Sequence, residues 1–96
     1  MRFEWDPQKE IENKRKHGVT FSEAKALFLL GKSYLEIFDT DHSNIEDRFI
    51  AIGPIDRGIV YVVWTERVDD IIRIIGARFA TKREQKLFGE TYGEKQ

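Results

Sequence analysis

The chain has no cysteine. Disulfides and thiolate metal sites are therefore excluded, which fits a reducing compartment. It has two prolines, too few for a proline-rich linker, and no repeat or low-complexity segment interrupts it. No apolar run approaches the roughly 20 residues that a membrane-crossing helix needs. Glu4 and Asp6 precede any apolar stretch, so no secretory leader is expected. A cytoplasmic protein without a membrane partner is the expectation. A basic excess is also missing, with 16 Lys and Arg against 17 Asp and Glu and a formal net charge of -1. That balance argues against a broad electrostatic grip on nucleic acid.

What is present is a folding sequence. Hydrophobic residues at 41% and aromatics at 12% indicate a globule and not a disordered tail. Ninety-six residues suit one domain over 1–96, with one modest core and a frayed tail over 91–96.

Met1 to Trp5 alternates and predicts a short strand. Asp6-Pro7 opens a polar helix, Asp6 as cap and Pro7 at the first helical position, and Lys16-His17-Gly18 closes it. Thr20-Phe21-Ser22-Glu23 is a capping box for a second helix that buries Phe21, Ala24, Leu27 and Phe28 and stops at Gly31. Strands are expected over Ser33 to Phe38, Asp47 to Pro54, Gly58 to Glu66 and Asp70 to Phe79. Turns at Asp56-Arg57-Gly58 and Val68-Asp69-Asp70 imply an antiparallel meander. Thr81-Lys82-Arg83-Glu84 is another capping box, opening a last helix with Leu87 and Phe88 inward. The expected fold is α+β and two-layered: an antiparallel β-sheet covered on one face by two N-terminal helices and one C-terminal helix.

Charge is unevenly placed. From Ile71 to Phe88 five cations face one carboxylate, and from Thr20 to Asp56 seven carboxylates face three cations. Arg73 interrupts the run Ile71-Ile72-Arg73-Ile74-Ile75, where a charge is costly unless paired or functional. A salt bridge to Glu36, Glu66 or Asp70 is the structural alternative. Arg78 would lie on the opposite face from Arg73, because five residues separate them, unless a bulge intervenes. Gly76 is the natural place for one. Lys82 and Arg83 stand in the first turn of the last helix, where the macrodipole disfavours cations. With Arg78 and the free N–H groups they would form an anion pocket; the alternative is a solvated helix start.

Arg67 sits at a strand end, where active-site side chains often gather. Arg48 could bind substrate or pair with Glu46 and Asp47. His17, beside Lys16, is the acid/base candidate, or else a plain helix-terminating histidine favoured by the dipole. His42 reads as solvated. A metal site from Asp39, Asp41 and His42 matches no ligand pattern, so no metal or cofactor is expected. Trp5 and Trp64 suit packing better than base stacking.

Two blocks carry a resemblance. One runs from Phe3-Glu4-Trp5-Asp6-Pro7-Gln8-Lys9 through Asn13 to Lys16-His17-Gly18-Val19-Thr20-Phe21. The other runs from Glu66-Arg67 through Ile72-Arg73-Ile74-Ile75-Gly76-Ala77-Arg78 to Ala80-Thr81-Lys82-Arg83-Glu84. Together they resemble the BrnT family of type II toxin–antitoxin modules. The resemblance implies a RelE-like fold and a metal-independent endoribonuclease toxin that halts translation and growth. It implies a cognate BrnA-like antitoxin with a ribbon-helix-helix part, and DNA contact only through that complex. The family usually has serine where Gly76 stands and tyrosine where Phe88 stands. A non-catalytic antitoxin-binding or co-repressor module is therefore the alternative.

Cutting RNA without metal requires attack of the 2′-hydroxyl on its phosphate, proton transfer at both oxygens, and cations around the phosphorane. Arg67, Arg73 and Arg78 are the expected stabilisers and His17 the expected acid/base. Lys16, Arg48, Lys82 and Arg83 are expected to hold substrate phosphate.

Overall fold

A computed structural model of the chain describes residues 1–30, 33–42 and 44–92. Five strands form one sheet: β1 (Arg2–Glu4), β2 (Leu35–Phe38), β3 (Phe49–Ile55), β4 (Gly58–Arg67) and β5 (Ile71–Phe79). Their spatial order is β1-β5-β4-β3-β2. The last four make the expected antiparallel meander. β1 departs from it. It lies parallel to β5, with Phe3 opposite Ile72 and Glu4 opposite Arg73. A strand so far from its partner in sequence is free of hairpin geometry and can take either direction.

Helix α1 (Pro7–His17) has the predicted ends. Asp6 accepts a hydrogen bond from the Gln8 N–H at 2.9 Å. Gly18, at φ 75°, returns its N–H to the Lys14 carbonyl, in the left-handed conformation glycine adopts without strain. The second expected helix is broken at Lys25 into α2 (Phe21–Ala24) and α3 (Ala26–Leu29). Across the break the Phe28 N–H returns only three residues, to the Lys25 carbonyl, a tightened 3-10 turn. The stop at Gly31 lies outside the described residues.

One face of the sheet holds the main core. Val19, Phe21, Ala24 and Leu27 pack on Ala51, Val60, Val62, Trp64, Ile72, Ile74 and Ala77. Trp64 is part of this core, and Trp5 packs against it. Helix α4 (Lys82–Tyr92) corrects the two-layer expectation. Ile52 alternates with Ala51, is paired with Tyr61, and points to the opposite face. It is nevertheless 1% exposed, and α4 packs against β3. The first three helices therefore cover one face and α4 shields part of the other. Thr91 and Tyr92 belong to α4; the rest of the expected tail, 93–96, lies outside the described residues. Among the described residues no helix is long and apolar enough to cross a membrane.

Candidate active site

The site is organised by an irregularity in β5. Val63 pairs with Gly76 and Trp64 with Ile74, which leaves Ile75 as an extra residue. The bulge changes the face count. Arg73 stands opposite Thr65 and Arg78 opposite Tyr61. Thr65 and Tyr61 are an even number of positions apart, so both arginines project to the same face. They are separated by four steps of β4, or about 13 Å. Between them, a Cβ built on Gly76 would meet nothing within 4 Å. The ground between the two guanidinium-bearing positions is open.

Arg73 donates from Nη1 to Glu4 Oε2 at 2.9 Å. Its partner is thus none of Glu36, Glu66 or Asp70. The parallel register of β1 places Glu4 directly beside it, and that register is invisible to local sequence patterns. Both side chains are about a third exposed, at 35% and 38%. Exposed pairs of this kind contribute about 0–1 kcal/mol, so a phosphate could compete for the guanidinium. Arg73 also lines a cleft with Asp6, Lys9, Glu46 and Arg48. Arg48 lies 3.5 Å from Glu46 in an ion pair.

Lys9 is shared with a neighbouring cleft, lined by Lys16, His17, Asn13 and Ile75. Lys9 and Lys16 are seven residues apart, two helical turns, and therefore on one stripe of α1. Asn13 lies within that stripe and fixes the helix to the sheet. Its amide donates to the Ala77 carbonyl at 2.7 Å and the Val19 carbonyl at 2.8 Å, and accepts from the Ala77 N–H at 3.3 Å. The structure thus brings Lys16, His17, Arg48 and Arg73 to adjoining clefts and adds Lys9. The seven-residue lysine spacing could have revealed Lys9 in the sequence.

Arg78 heads a second group. Its two terminal nitrogens reach the two carboxylate oxygens of Glu84 at 2.8 and 2.9 Å. Its guanidinium carbon lies 3.8 Å from the centre of the Tyr61 ring. Glu84 also completes the capping box, accepting from the Thr81 N–H at 2.9 Å while its own N–H donates to the Thr81 hydroxyl at 3.1 Å. The Arg78 hydrogen bond holds the Glu84 carboxyl below the usual glutamate range, against the opposing effect of burial. Burial pushes the Tyr61 phenol up, against the pull of the Arg78 charge. The expected anion pocket of Arg78, Lys82 and Arg83 is therefore corrected in one respect: a carboxylate of the same chain already lies in it. Lys82 and Arg83 are exposed on the first turn of α4. Glu84 was legible as a cap; its second role, on Arg78, was not.

Arg67 lies beside Arg73 and far from Arg78. It pairs with Ile71, two positions along β5 from Arg73 and on the same face, and seven positions, or about 23 Å at a strand's rise, from Arg78. It lines an acidic corner with Asp47, Glu66, Asp69 and Asp70. His42 is not purely solvated, since its Nδ1 lies 3.0 Å from an Asp39 carboxylate oxygen. Among the described residues no group of His, Asp and Glu has the geometry to hold a metal ion.

Comparison with known proteins adds a context. Residues 5–84 match the model of a family described as the ribonuclease toxin BrnT of type II toxin–antitoxin systems. Among solved structures, the crystal structure of the Brucella abortus ribonuclease toxin BrnT is similar at a TM-score of 0.66 and 26% identity, covering 85% of this chain and 99% of that one. No curated protein matches.

Proposed function

Because this chain belongs to the BrnT family, the ribonuclease toxins of type II toxin–antitoxin systems, we propose that it cleaves RNA at the face of β5 that carries Arg73 and Arg78. The observation that supports this reading is the bulge at Ile75. It brings two arginines of opposite parity onto one face, with open ground between them. Their planar forks suit phosphate oxygens, and their charge is fixed at any physiological pH. Lys9, Lys16 and Arg48, on the adjoining clefts, would hold the flanking phosphates, with Lys82 and Arg83 on the other side. His17, in the α1 cleft with Lys9 and Lys16, is assigned to substrate contact. Arg67, on the same face and two positions of β5 beyond Arg73, would add its charge on that side.

Cleavage by this chemistry uses the 2′-hydroxyl as nucleophile and needs no metal ion. In the cell it would stop translation and growth from the cytoplasm. A type II toxin has a protein antitoxin as partner. We take that partner to be BrnA-like, with a ribbon-helix-helix part that carries any DNA contact, and we take the whole chain to be one RelE-like domain.

The test is cleavage of a purified oligoribonucleotide with chelator present, beside growth after induction. Arg73→Ala and Arg78→Ala are each expected to lower cleavage by at least about tenfold, the loss of one charge-assisted contact, and to relieve growth arrest while antitoxin binding persists. RNA left intact by the parent chain, with and without ribosomes, would overturn the reading.

A further inference from the structure

We propose that Glu84 and Tyr61 are the proton-transfer pair of this cleavage, Glu84 taking the proton of the 2′-hydroxyl and Tyr61 giving one to the departing 5′-oxygen. The inference rests on the ribonuclease reading above and deepens it, because neither arginine can move a proton at neutral pH.

Three observations carry it. First, the two groups flank one guanidinium: the carboxylate holds it edge-on through two hydrogen bonds, and the phenol ring lies 3.8 Å beneath it. Any phosphate captured by Arg78 is delivered beside both. Second, their chemistry is complementary. Glu84 is an acceptor held ionised by its partner, whereas Tyr61 keeps its proton because burial opposes the phenolate. A pair of titratable groups pushed apart around one anion site has the form of an acid and base assignment. Third, no hydrogen bond or ion pair among the described residues joins His17 to Arg78, Glu84 or Tyr61, so the histidine is not organised for the task at this arginine.

The arrangement couples binding to basicity. In the free protein Arg78 spends its fork on Glu84. A phosphate that takes over the fork removes the hydrogen bonds that depress the carboxylate. Glu84 then becomes a better base at the moment a 2′-hydroxyl arrives. In the reaction the O2′–P bond forms as Glu84 accepts the 2′ proton. The P–O5′ bond breaks as the Tyr61 proton passes to O5′. The products are a 2′,3′-cyclic phosphate and a 5′-hydroxyl. The proton on Glu84 returns through solvent to the tyrosinate, which the Arg78 charge stabilises meanwhile, and both groups are restored.

The experiment is single-turnover cleavage of a short oligoribonucleotide by the full chain, with the 2′-deoxy oligonucleotide of the same sequence as the binding probe. Tyr61→Phe keeps the ring under Arg78, and Glu84→Gln keeps an acceptor for the Thr81 N–H. Each is expected to slow cleavage by about 10²-fold or more, as loss of a positioned acid or base does. Binding of the 2′-deoxy probe should stay near the parent's in both, and the melting temperature should stay near it for Tyr61→Phe and fall for Glu84→Gln, which loses the ion pair with Arg78. The parent's rate should rise and then fall with pH. Glu84→Gln should abolish the acid limb and Tyr61→Phe the alkaline limb. The charged groups acting on them are Arg78 on Glu84, and Arg78, Glu84 and Asp39 on Tyr61.

A Tyr61→Phe or Glu84→Gln variant that cleaves within about threefold of the parent would overturn that residue's role. A rate loss matched by an equal loss of probe binding, with both pH limbs retained, would show structural support only and overturn the proposal. A parent chain that binds the probe but never cleaves the RNA would instead overturn the ribonuclease reading, and this inference with it.

Discussion

Asn13 does the work of a missing strand. β1 covers the edge of β5 only as far as Arg73, and beyond that point the backbone of Ala77 would have no partner on that side. The Asn13 amide supplies both halves of a strand's pairing to Ala77 and uses its remaining donor on the Val19 carbonyl. The same side chain therefore seals the sheet edge and fixes the corner after α1, which in turn places Lys9 and Lys16 beside the arginine face. Asn13→Ala should destabilise the fold by about 1–3 kcal/mol, the cost of leaving part-buried backbone groups unpaired. Urea unfolding checks it, with a lowered midpoint at unchanged slope as the expected result. Asn13→Asp should be at least as damaging at neutral pH, since a carboxylate would face two carbonyl oxygens. A midpoint equal to the parent's in both variants would mean that the clamp contributes nothing.

The packing of elements turns on two glycines with opposite surroundings. At Gly53 a Cβ would lie 2.7 Å from both Leu27 Cδ1 and Tyr34 Cβ, with the Tyr34 Cα at 3.3 Å. The leucine tip can yield, but the start of the Tyr34 side chain cannot without backbone movement. Gly53→Ala should therefore destabilise by about 1–3 kcal/mol, the usual cost of overpacking. Gly76→Ala, where the space is open, should stay within about 0.5 kcal/mol of the parent. Paired thermal melts of the two variants decide this, and an equal loss in both would refute the account. Much of this level was legible in the sequence. Helix ends are local chemistry, so Asp6, Pro7, Gly18, Thr20 and Thr81 marked them correctly, and the meander followed from its turn residues. A bulge between the arginines was suggested at Gly76; the extra residue is Ile75, one position earlier, and Gly76 itself pairs with Val63. What was not legible depends on contacts between distant segments: β1 pairing parallel with β5, α4 crossing to the other face, the break at Lys25, and Glu4 meeting Arg73. The site inherits the same division. Its arginines could be read from the chain, but the carboxylates that hold them, and the Tyr61 ring beneath one of them, appear only once strand register is known.

At the scale of the whole molecule, several carboxylates among the described residues fasten the elements to each other, and Glu84, Glu23 and Glu10 are held below the ordinary glutamate range. Glu84 joins α4 to β5 through Arg78. Glu23 joins α2 to the β3–β4 turn through Arg57, whose hydrogen bond is the largest influence on it. Glu10 joins α1 to the start of α2. Burial acts to raise its pKa, but hydrogen bonds from the Ser22 N–H and hydroxyl and the Trp5 indole together outweigh it. A carboxylate depressed in the folded state adds stability that is complete above its unfolded value, about 4.3 for glutamate, and is lost as pH falls through the folded value. All three act with the same sign. The melting temperature should therefore hold steady from pH 7 to about 5 and fall steadily below it. Replacing all three with glutamine should lower it at pH 7 and flatten its acid dependence. The arginine face should fail early in this descent, because protonating Glu84 removes the charge that pairs with Arg78 and weakens the carboxylate's hold on the Thr81 N–H. Melting curves between pH 7 and 3 for both proteins test this directly. Parallel curves would mean that the acid sensitivity lies in other carboxylates and that these three joints do not govern it.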